Sequence, residues 1–325
     1  MPKILLTTRY TQKPLEILES ILPSDYTLIM LDQVTQEDLI EKSSQAEYLL
    51  VSGRLKIDAF VLDRMASLKM IQRTGVGLDS MSLDEIAKRK IPVYVNAGVN
   101  ADSVAEHTVM LMLAGLRRLP VIDSNVKRCV WEKQNQGTLT RTLKGRNVGI
   151  IGMGNIGKAA ARLLRPFGAA VFYYNRHRLS PEEEEELNIS YLALPDILEQ
   201  SDIISLHCPV MEDTKHLICR KTISRMKDGV IIVNTARGRI ICEEDLIHAL
   251  STGKVGFAGL DVFENEPLRH SKLTELKNVI LTPHIAGVTY DAFYRMMHDA
   301  VRNIKFFEEG RLPEIEQYRL KQGEE

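Results

Sequence analysis

Three polar side chains that could move a proton beside an anion follow separate apolar runs in the second half of the chain. Arg237 follows VNTA, Glu266 lies in LDVFENEP, and His284 lies in LTPHIAG. A guanidinium can bind a carboxylate and polarise a carbonyl, an imidazolium can deliver a proton, and a carboxylate can keep that imidazole protonated. The three residue types together fit the reduction of a 2-oxo acid by hydride transfer.

Each of these residues also has a simpler explanation when it is taken alone. Arg237 fits a surface turn, His284 fits a hydrogen-bonded core histidine, and Glu266 fits an exposed loop acid. The hydride-transfer interpretation therefore requires a dinucleotide site elsewhere in the same chain.

The stretch GIIGMGNIG, residues 149–157, has the glycine spacing of such a site. An apolar run ends at Gly152, Gly154 and Gly157 follow, and an amphipathic pattern predicts a helix from about Asn155. In this motif the first glycine makes the turn, the second lets a pyrophosphate approach, and the third allows close packing of helix and strand. Glycines alone would also fit a plain tight turn, but the flanking strand and helix favour a dinucleotide.

The sequence has no acid where an NAD site usually binds the adenosine ribose. That position falls on Asn175, at the end of the predicted strand VFYYN, and Arg176 follows it. No Asp or Glu occurs between Gly157 and Glu182. An amide and a guanidinium can bind a 2′-phosphate that a carboxylate would repel. The sequence therefore favours NADP(H), with NAD(H) possible; the alternative is a solvated Arg176 and a site that accepts both.

The elements that must position these residues are predicted from alternating patterns. Short β-rich runs alternate with amphipathic stretches through the first hundred residues and again from Asn147. This alternation is typical of α/β proteins and predicts two doubly wound parallel-sheet domains. The predicted domains are residues 1–98 with 290–325, and residues 99–289, because the helical C-terminal segment has no sheet of its own. A helix is also predicted from about Ser103 to Arg118, with a capping box formed by Ser103 and Glu106.

The composition excludes several classes of partner. The chain has 325 residues and a formal net charge of −1, which gives no electrostatic reason to expect nucleic acid or an anionic membrane. It has no apolar run of the roughly 18 residues that a membrane span needs, so we expect a cytoplasmic protein with a small-molecule partner. Its four cysteines lack paired spacing, so neither a metal site nor disulfides are expected.

Blocks of sequence along nearly the whole chain resemble the D-isomer-specific 2-hydroxy acid dehydrogenases, and most closely their glyoxylate and hydroxypyruvate reductase-like members. The blocks are RTGVGLDSM at 73–81, NAGVNADSVAEHT at 96–108, GIIGMGNIG at 149–157, SLHCPVMEDT at 205–214, NTARGRII at 234–241, GLDVFENEP at 259–267 and TPHIAG at 282–287. The resemblance implies a flavodoxin-like substrate domain made of both chain ends, a Rossmann-type cofactor domain inserted between them, and a cleft where the two meet.

The resemblance also implies roles for individual residues. Arg237 would bind the substrate, His284 would be the acid/base, and Glu266 would pair with it. The backbone of Val76 and Gly77 would bind the substrate carboxylate. The remaining cofactor contacts would be Asn155 and Ile156 at the pyrophosphate, and Thr235, Ala236, Asp261 and Gly287 at the nicotinamide.

The family is usually dimeric through helices and an arm, which would fall at residues 100–145 of this chain. The resemblance therefore implies a homodimer. Trp131, the only tryptophan, would lie either in that interface or in a core.

The resemblance leaves alternatives open. An NAD-dependent D-3-phosphoglycerate dehydrogenase would need a cation for its substrate phosphate, and Arg54 is available for that role. Formate dehydrogenases fit less well, because they carry an amide where this chain has Glu266. A dinucleotide-sensing corepressor scaffold keeps the same three polar residues, although no peptide-docking segment is evident.

Overall fold

The computed structural model of the protein describes residues 1–53 and 55–320. These residues form two compact units. The first unit consists of Met1–Asn100 and the segment that begins at Tyr290, and the inserted unit is Ala101–Thr289.

The regular elements follow one another in an almost strict alternation. The strands are β1 Lys3–Leu6, β2 Thr27–Met30, β3 Tyr48–Val51, β4 Met70–Arg73, β5 Val93–Val95, β6 Asn147–Ile151, β7 Ala170–Tyr174, β8 Ser190–Tyr191, β9 Ile203–Leu206, β10 Val230–Asn234, β11 Val255–Leu260 and β12 Val279–Leu281. The α-helices are α1 Gln12–Ile21, α2 Gln36–Ser43, α3 Ala59–Leu62, α4 Leu83–Lys88, α5 Ala101–Leu116, α6 Leu119–Lys127, α7 Lys133–Leu139, α8 Asn155–Leu164, α9 Pro181–Leu187, α10 Leu194–Gln200, α11 Arg220–Ile223, α12 Glu243–Thr252 and α13 Tyr290–Glu308. Short 3₁₀ turns occur at Arg165–Phe167, Gly238–Ile240, Lys272–Glu275, Leu312–Glu314 and Glu316–Tyr318.

The first unit contains a five-stranded parallel sheet in the order β2-β1-β3-β4-β5. This is the flavodoxin-like strand order. Helix α13 packs on this sheet: its residues Met297, Val301 and Ile304 share a core with Ile4 and Tyr48. Helix α13 thus belongs to the same compact unit as Met1–Asn100.

The inserted unit contains a seven-stranded parallel sheet in the order β12-β11-β10-β9-β6-β7-β8. The six neighbouring strands β8, β7, β6, β9, β10 and β11 have the order 3-2-1-4-5-6 of a Rossmann-type fold. Strand β12 adds a seventh strand beside β11. Strands such as β9 and β10 are buried throughout, as expected for a parallel sheet that is covered on both faces. The predicted fold class of two parallel-sheet α/β units is therefore confirmed.

Helix α5 begins two residues earlier than the sequence predicted. Ser103 lies inside the helix rather than at its N-cap, so the predicted capping box with Glu106 is wrong. The Ser103 hydroxyl instead forms a 2.9 Å hydrogen bond with the hydroxyl of Thr289, which joins the two ends of the inserted unit. Since most of the helix is buried against β10, β11 and α8, packing rather than capping chemistry determines where it begins.

The polar segment around the single tryptophan forms the short helices α6 and α7. Trp131 lies between them and is 78% exposed, so core packing of this side chain is excluded within the described residues. Throughout residues 1–53 and 55–320, no helix combines the length and the apolar character needed to cross a bilayer.

Candidate active site

The glycine turn joins β6 to α8 at the carboxyl edge of the larger sheet. Gly152 adopts a φ of 99°, and a Cβ there would lie 2.6 Å from the backbone nitrogen of Cys208, so the turn admits only glycine. A Cβ on Gly157 would collide with the carbonyl oxygen of Gly152, whereas one on Gly154 would meet open space. The backbone is therefore tightly packed on the protein side and open beside Gly154, where α8 begins without a capping side chain. This arrangement fits a dinucleotide pyrophosphate.

A neutral histidine lies directly behind this turn. His207 follows β9, and its Nε2 forms a 2.8 Å hydrogen bond with the hydroxyl of Ser205. Burial of the imidazole lowers the pKa of His207 to about 4, because desolvation penalises the charged form. His207 is therefore uncharged at neutral pH and adds no charge beneath the glycine turn.

Asn175 follows β7 and fixes the glycine turn through its side chain. Its Oδ1 accepts a 3.1 Å hydrogen bond from the backbone N–H of Met153, and its Nδ2 donates to the carbonyl of His177. Arg176 is half-exposed and has one long ion pair of 3.4 Å with Asp213. This weak pairing leaves the guanidinium free to move toward an anion.

Arg178 is already occupied by a partner. It makes two 2.8 Å hydrogen bonds to the carboxylate of Glu184, which also accepts from Tyr173. These bonds, with Arg178 contributing most, lower the pKa of Glu184 to about 2. Of the two arginines that follow Asn175, Arg176 is thus the one with a weakly held side chain.

His284 and Glu266 are in direct contact. The Nδ1 of His284 lies 2.9 Å from Oε2 of Glu266, and Oε1 of the same carboxylate accepts from the backbone N–H of Phe263. The carboxylate is largely buried while the imidazole is partly exposed. A Glu266 carboxylate in this contact accepts a proton held on Nδ1, so Nε2 is the ring nitrogen that does not face Glu266.

The turn that carries His284 is held by Asp261, which follows β11 and is 1% exposed. One carboxylate oxygen accepts from the hydroxyl of Thr282 at 2.5 Å and from the N–H of Ile285 at 2.9 Å, and the other accepts from the N–H of Ala286 at 2.9 Å. His284 itself adopts a φ of 58°, a left-handed conformation that costs a side-chain-bearing residue about 1 kcal/mol. The Asp261 hydrogen bonds offset that cost. Gly287 continues the same turn.

The loop that carries Arg237 is held by a buried asparagine that the sequence analysis missed. Asn234 ends β10; its Oδ1 accepts from the N–H of Ala236 at 3.0 Å and its Nδ2 donates to the carbonyl of Arg237 at 2.9 Å. Thr235 in this loop forms a 2.9 Å hydroxyl bond with Thr108 of α5. No periodicity signal could have found Thr108, because it lies 127 residues away in sequence.

Gly238 brings the Arg237 loop against the loop that leads to Glu266. A Cβ on Gly238 would overlap the backbone carbonyl of Phe263, so the two loops touch through main-chain atoms. Within the inserted unit, the loops of Arg237, Glu266 and His284 therefore all follow neighbouring strands at one edge of the sheet.

The remaining predicted substrate residues belong to the first unit. Val76 and Gly77 lie in the loop after β4, and Arg73 holds this loop by donating to the carbonyl of Gly77 at 2.8 Å and to that of Gly53 at 3.2 Å. Arg73 is thus a loop-fixing residue that sequence reasoning missed. Arg54 lies outside the described residues.

Comparison with known proteins identifies the inserted unit. A sequence model of the NAD binding domain of the D-isomer specific 2-hydroxyacid dehydrogenases matches residues 109–286, which is more than half of the chain. A glyoxylate reductase from Thermococcus litoralis is 38% identical over 85% of this chain and 84% of its own length. A hydroxypyruvate reductase from Thermotoga maritima is 37% identical over 84% of this chain and 88% of its own.

Solved structures give the same result for the fold. The D-lactate dehydrogenase of Aquifex aeolicus, solved as a complex with NAD and lactic acid, superposes with a TM-score of 0.82 and 31% identity, and the match covers 98% of both chains. The likeness therefore extends over both units.

Replacing Gly238 by alanine tests the contact between the two loops. Because the new Cβ meets backbone atoms that cannot rotate away, we expect Gly238→Ala to lower the free energy of unfolding by about 1–3 kcal/mol, measured by urea denaturation. Gly137→Ala is the matched control, since Gly137 lies in α7 with open space around it. That substitution should be neutral or stabilise by up to about 1 kcal/mol. Equal stability of Gly238→Ala and the wild type would contradict the contact.

Proposed function

Because this chain belongs to the D-isomer-specific 2-hydroxyacid dehydrogenases, we propose that it reduces a small 2-oxo acid, glyoxylate or hydroxypyruvate, to the D-2-hydroxy acid. The observation that carries the proposal is the 2.9 Å contact of His284 with Glu266, in the same unit as the glycine turn and Arg237. The glyoxylate and hydroxypyruvate reductases among the relatives support this choice of substrate.

In the proposed mechanism, the guanidinium of Arg237 binds the substrate carboxylate and polarises the carbonyl that is reduced. The nicotinamide cofactor supplies the hydride. His284 donates the Nε2 proton to the carbonyl oxygen, because its Nδ1–H is held by Glu266. Glu266 stabilises the imidazolium before transfer and orients the ring throughout. The backbone N–H groups of Val76 and Gly77 are proposed to bind the same carboxylate.

Cofactor binding is assigned to the glycine turn and to three loops of the inserted unit. The first-turn N–H groups at Asn155 and Ile156 would hold the pyrophosphate. Thr235, Ala236 and Gly287 would line the nicotinamide. Asp261 has one acceptor position left on the oxygen that binds Ala286, because a carboxylate oxygen accepts about two hydrogen bonds. A carboxamide N–H fits that position.

The cofactor is a nicotinamide dinucleotide, and we propose that NADP(H) is preferred over NAD(H). Asn175 is neutral, and Arg176 is half-exposed and held by a long ion pair to Asp213 and a contact with the sulfur of Met211. A 2′-phosphate would therefore meet no acid in residues 175–178 and one weakly held cation. Arg178 would contribute less, because Glu184 already binds it.

The function is tested by measuring initial rates of NADPH and NADH oxidation side by side. The substrates are glyoxylate, hydroxypyruvate, pyruvate, phenylpyruvate and 3-phosphohydroxypyruvate. We expect the fastest turnover with NADPH and one of the two small oxo acids. Turnover restricted to NADH and the phosphorylated acid would instead identify a phosphoglycerate dehydrogenase, and no turnover across the panel would favour a dinucleotide-sensing scaffold.

A matched pair of histidine variants tests the acid/base role in the same assay. His284→Ala should lower kcat by roughly 10²–10⁴-fold if this residue transfers the proton, with little change in the affinity for NADPH. His298→Ala should leave kcat unchanged, because His298 is an exposed residue of α13 that contacts only Asp299 and Tyr294 among the contacts described for it. Near-normal turnover of His284→Ala would refute the role.

The cofactor preference is tested by Asn175→Asp. An aspartate loses the hydrogen bond that the Asn175 amide donates to the His177 carbonyl but can still accept the Met153 N–H, so the turn should persist while the new charge repels a 2′-phosphate. We expect the ratio of kcat/KM for NADPH over NADH to fall by roughly 10-fold or more, since 1.4 kcal/mol is a tenfold change. Asn188→Asp, which adds the same charge at the C-terminal end of α9, is the control. An unchanged ratio in Asn175→Asp would rule out the preference.

We also propose a homodimer through α5, α6 and α7. Large apolar side chains stand exposed along these helices and their connections, among them Met110, Leu119, Val126, Trp131 and Leu139. A cluster of this kind on one region of a chain is typical of a covered surface. Light scattering should give about twice the chain mass of 36.8 kDa, and Trp131→Asp should shift that mass toward the single chain. A monomeric wild-type protein at micromolar concentration would contradict the proposal.

A further inference from the structure

We propose that His107 is a positioning residue for the reaction assigned above: through Thr282 it fixes the hydrogen bonds of Asp261, which hold the turn that carries His284. The inference rests on the proposed function for its kinetic consequence and on geometry alone for the contacts. His107 lies on α5, and its Nε2 is 3.1 Å from the hydroxyl oxygen of Thr282.

The direction of each hydrogen bond follows from the donors and acceptors available. The carboxylate of Asp261 binds the N–H groups of Ile285 and Ala286 and the hydroxyl of Thr282 at 2.5–2.9 Å, and a carboxylate only accepts. The single hydroxyl proton of Thr282 therefore points to Asp261. The Thr282 oxygen can then only accept from His107, which places a proton on the Nε2 of His107.

The burial of these groups makes the arrangement specific. The side chain of His107 is 14% exposed and that of Asp261 is 1% exposed, and the imidazole nitrogen is 3.9 Å from the carboxylate oxygen. An unpaired acceptor in such a place is costly because little water reaches it. Without the N–H of His107, the Thr282 hydroxyl would lose one of the two partners that fix its rotamer and would keep only Asp261.

The helix supplies the rigidity that this role requires. His107 and Thr108 are adjacent on α5; His107 reaches the turn of His284, and Thr108 reaches Thr235 in the loop of Arg237. The Thr108 hydroxyl also donates to the carbonyl of Val104 in its own helix. One helical segment thus sets the positions of the two loops that carry the proposed substrate-binding and proton-transferring side chains.

Loss of His107 should loosen the turn without unfolding it. The N–H groups of Ile285 and Ala286 still bind Asp261 in a His107 variant. Small displacements of a reacting group lower the rate of the chemical step strongly. We therefore expect His107→Leu to lower kcat by roughly 10-fold, with KM and the dissociation constant of NADPH within about 2-fold.

The kinetic test is a double-mutant cycle between His107→Leu and Thr282→Val. If His107 acts through Thr282, the double variant should lose about as much kcat as the worse single variant, rather than the product of the two losses. His107→Gln, which keeps an N–H donor, should recover most of the rate. Glu106→Gln, an exposed neighbour on α5, is the control. Multiplicative losses or no recovery by glutamine would overturn the proposal.

Two further measurements separate this inference from a merely structural effect and from failure of the proposed function. With NADPH deuterated at the transferred position, the isotope effect on kcat should rise in His107→Leu, because the chemical step slows. An unchanged isotope effect with a lower kcat would argue against a positioning role.

In ¹⁵N-labelled wild-type protein, NMR should show the His107 proton on Nε2. A neutral imidazole with its proton on Nδ1 would overturn the inference, whether or not any oxo acid is turned over. A proton on Nε2 combined with no turnover would contradict only the proposed function.

Discussion

The turn that carries His284 depends on one buried carboxylate. Asp261 joins the end of β11 to the turn of residues 282–287, and each hydrogen bond to such a charged acceptor contributes about 1.5–3 kcal/mol. These bonds replace the water that the carboxylate loses at 1% exposure. They also hold His284 at a left-handed φ. Without the carboxylate, this conformation would rest on the backbone N–H of His284, which bonds the carbonyls of Asp261 and Thr282, and on the contact with Glu266.

The parallel sheet explains why loops from distant parts of the chain meet. All seven strands run in the same direction, so the loops after β6, β10, β11 and β12 emerge at one edge. The strand order reverses between β6 and β9, and at this switch point the glycine turn packs against the backbone of residues 207–208. Close main-chain contacts at Gly152 and Gly238 then fix the spacing between loops more tightly than side-chain packing would.

The sequence predicts elements better than it predicts the bonds between them. The alternation of β-rich runs with amphipathic stretches predicted the two parallel-sheet units, and the spacing of the glycines predicted the turn before α8. The two-residue strand β8 was missed because so short a run has no periodicity. The start of α5 was misplaced because Ser103 has the type and spacing of a cap but is buried in a helix. Thr108 and His107 were missed because their partners, Thr235 and Thr282, are brought to them by tertiary packing, and no local pattern encodes them. Asn234 and Arg73 bond backbone groups two to four residues further along the chain, a local turn pattern that the periods of strands and helices do not include.

The hydrogen bond between Ser103 and Thr289 bears on how the unit can be inserted into the chain. It places the first and last turns of a 189-residue unit, Ala101–Thr289, within bonding distance of each other. A unit whose ends adjoin can be inserted into a host chain at one surface loop with little strain on either fold. Such a unit also tolerates circular permutation, in which a short linker joins the present ends and the chain begins and ends at another loop. Adjoining ends explain how this unit can interrupt a chain whose two parts, before and after it, form the other unit.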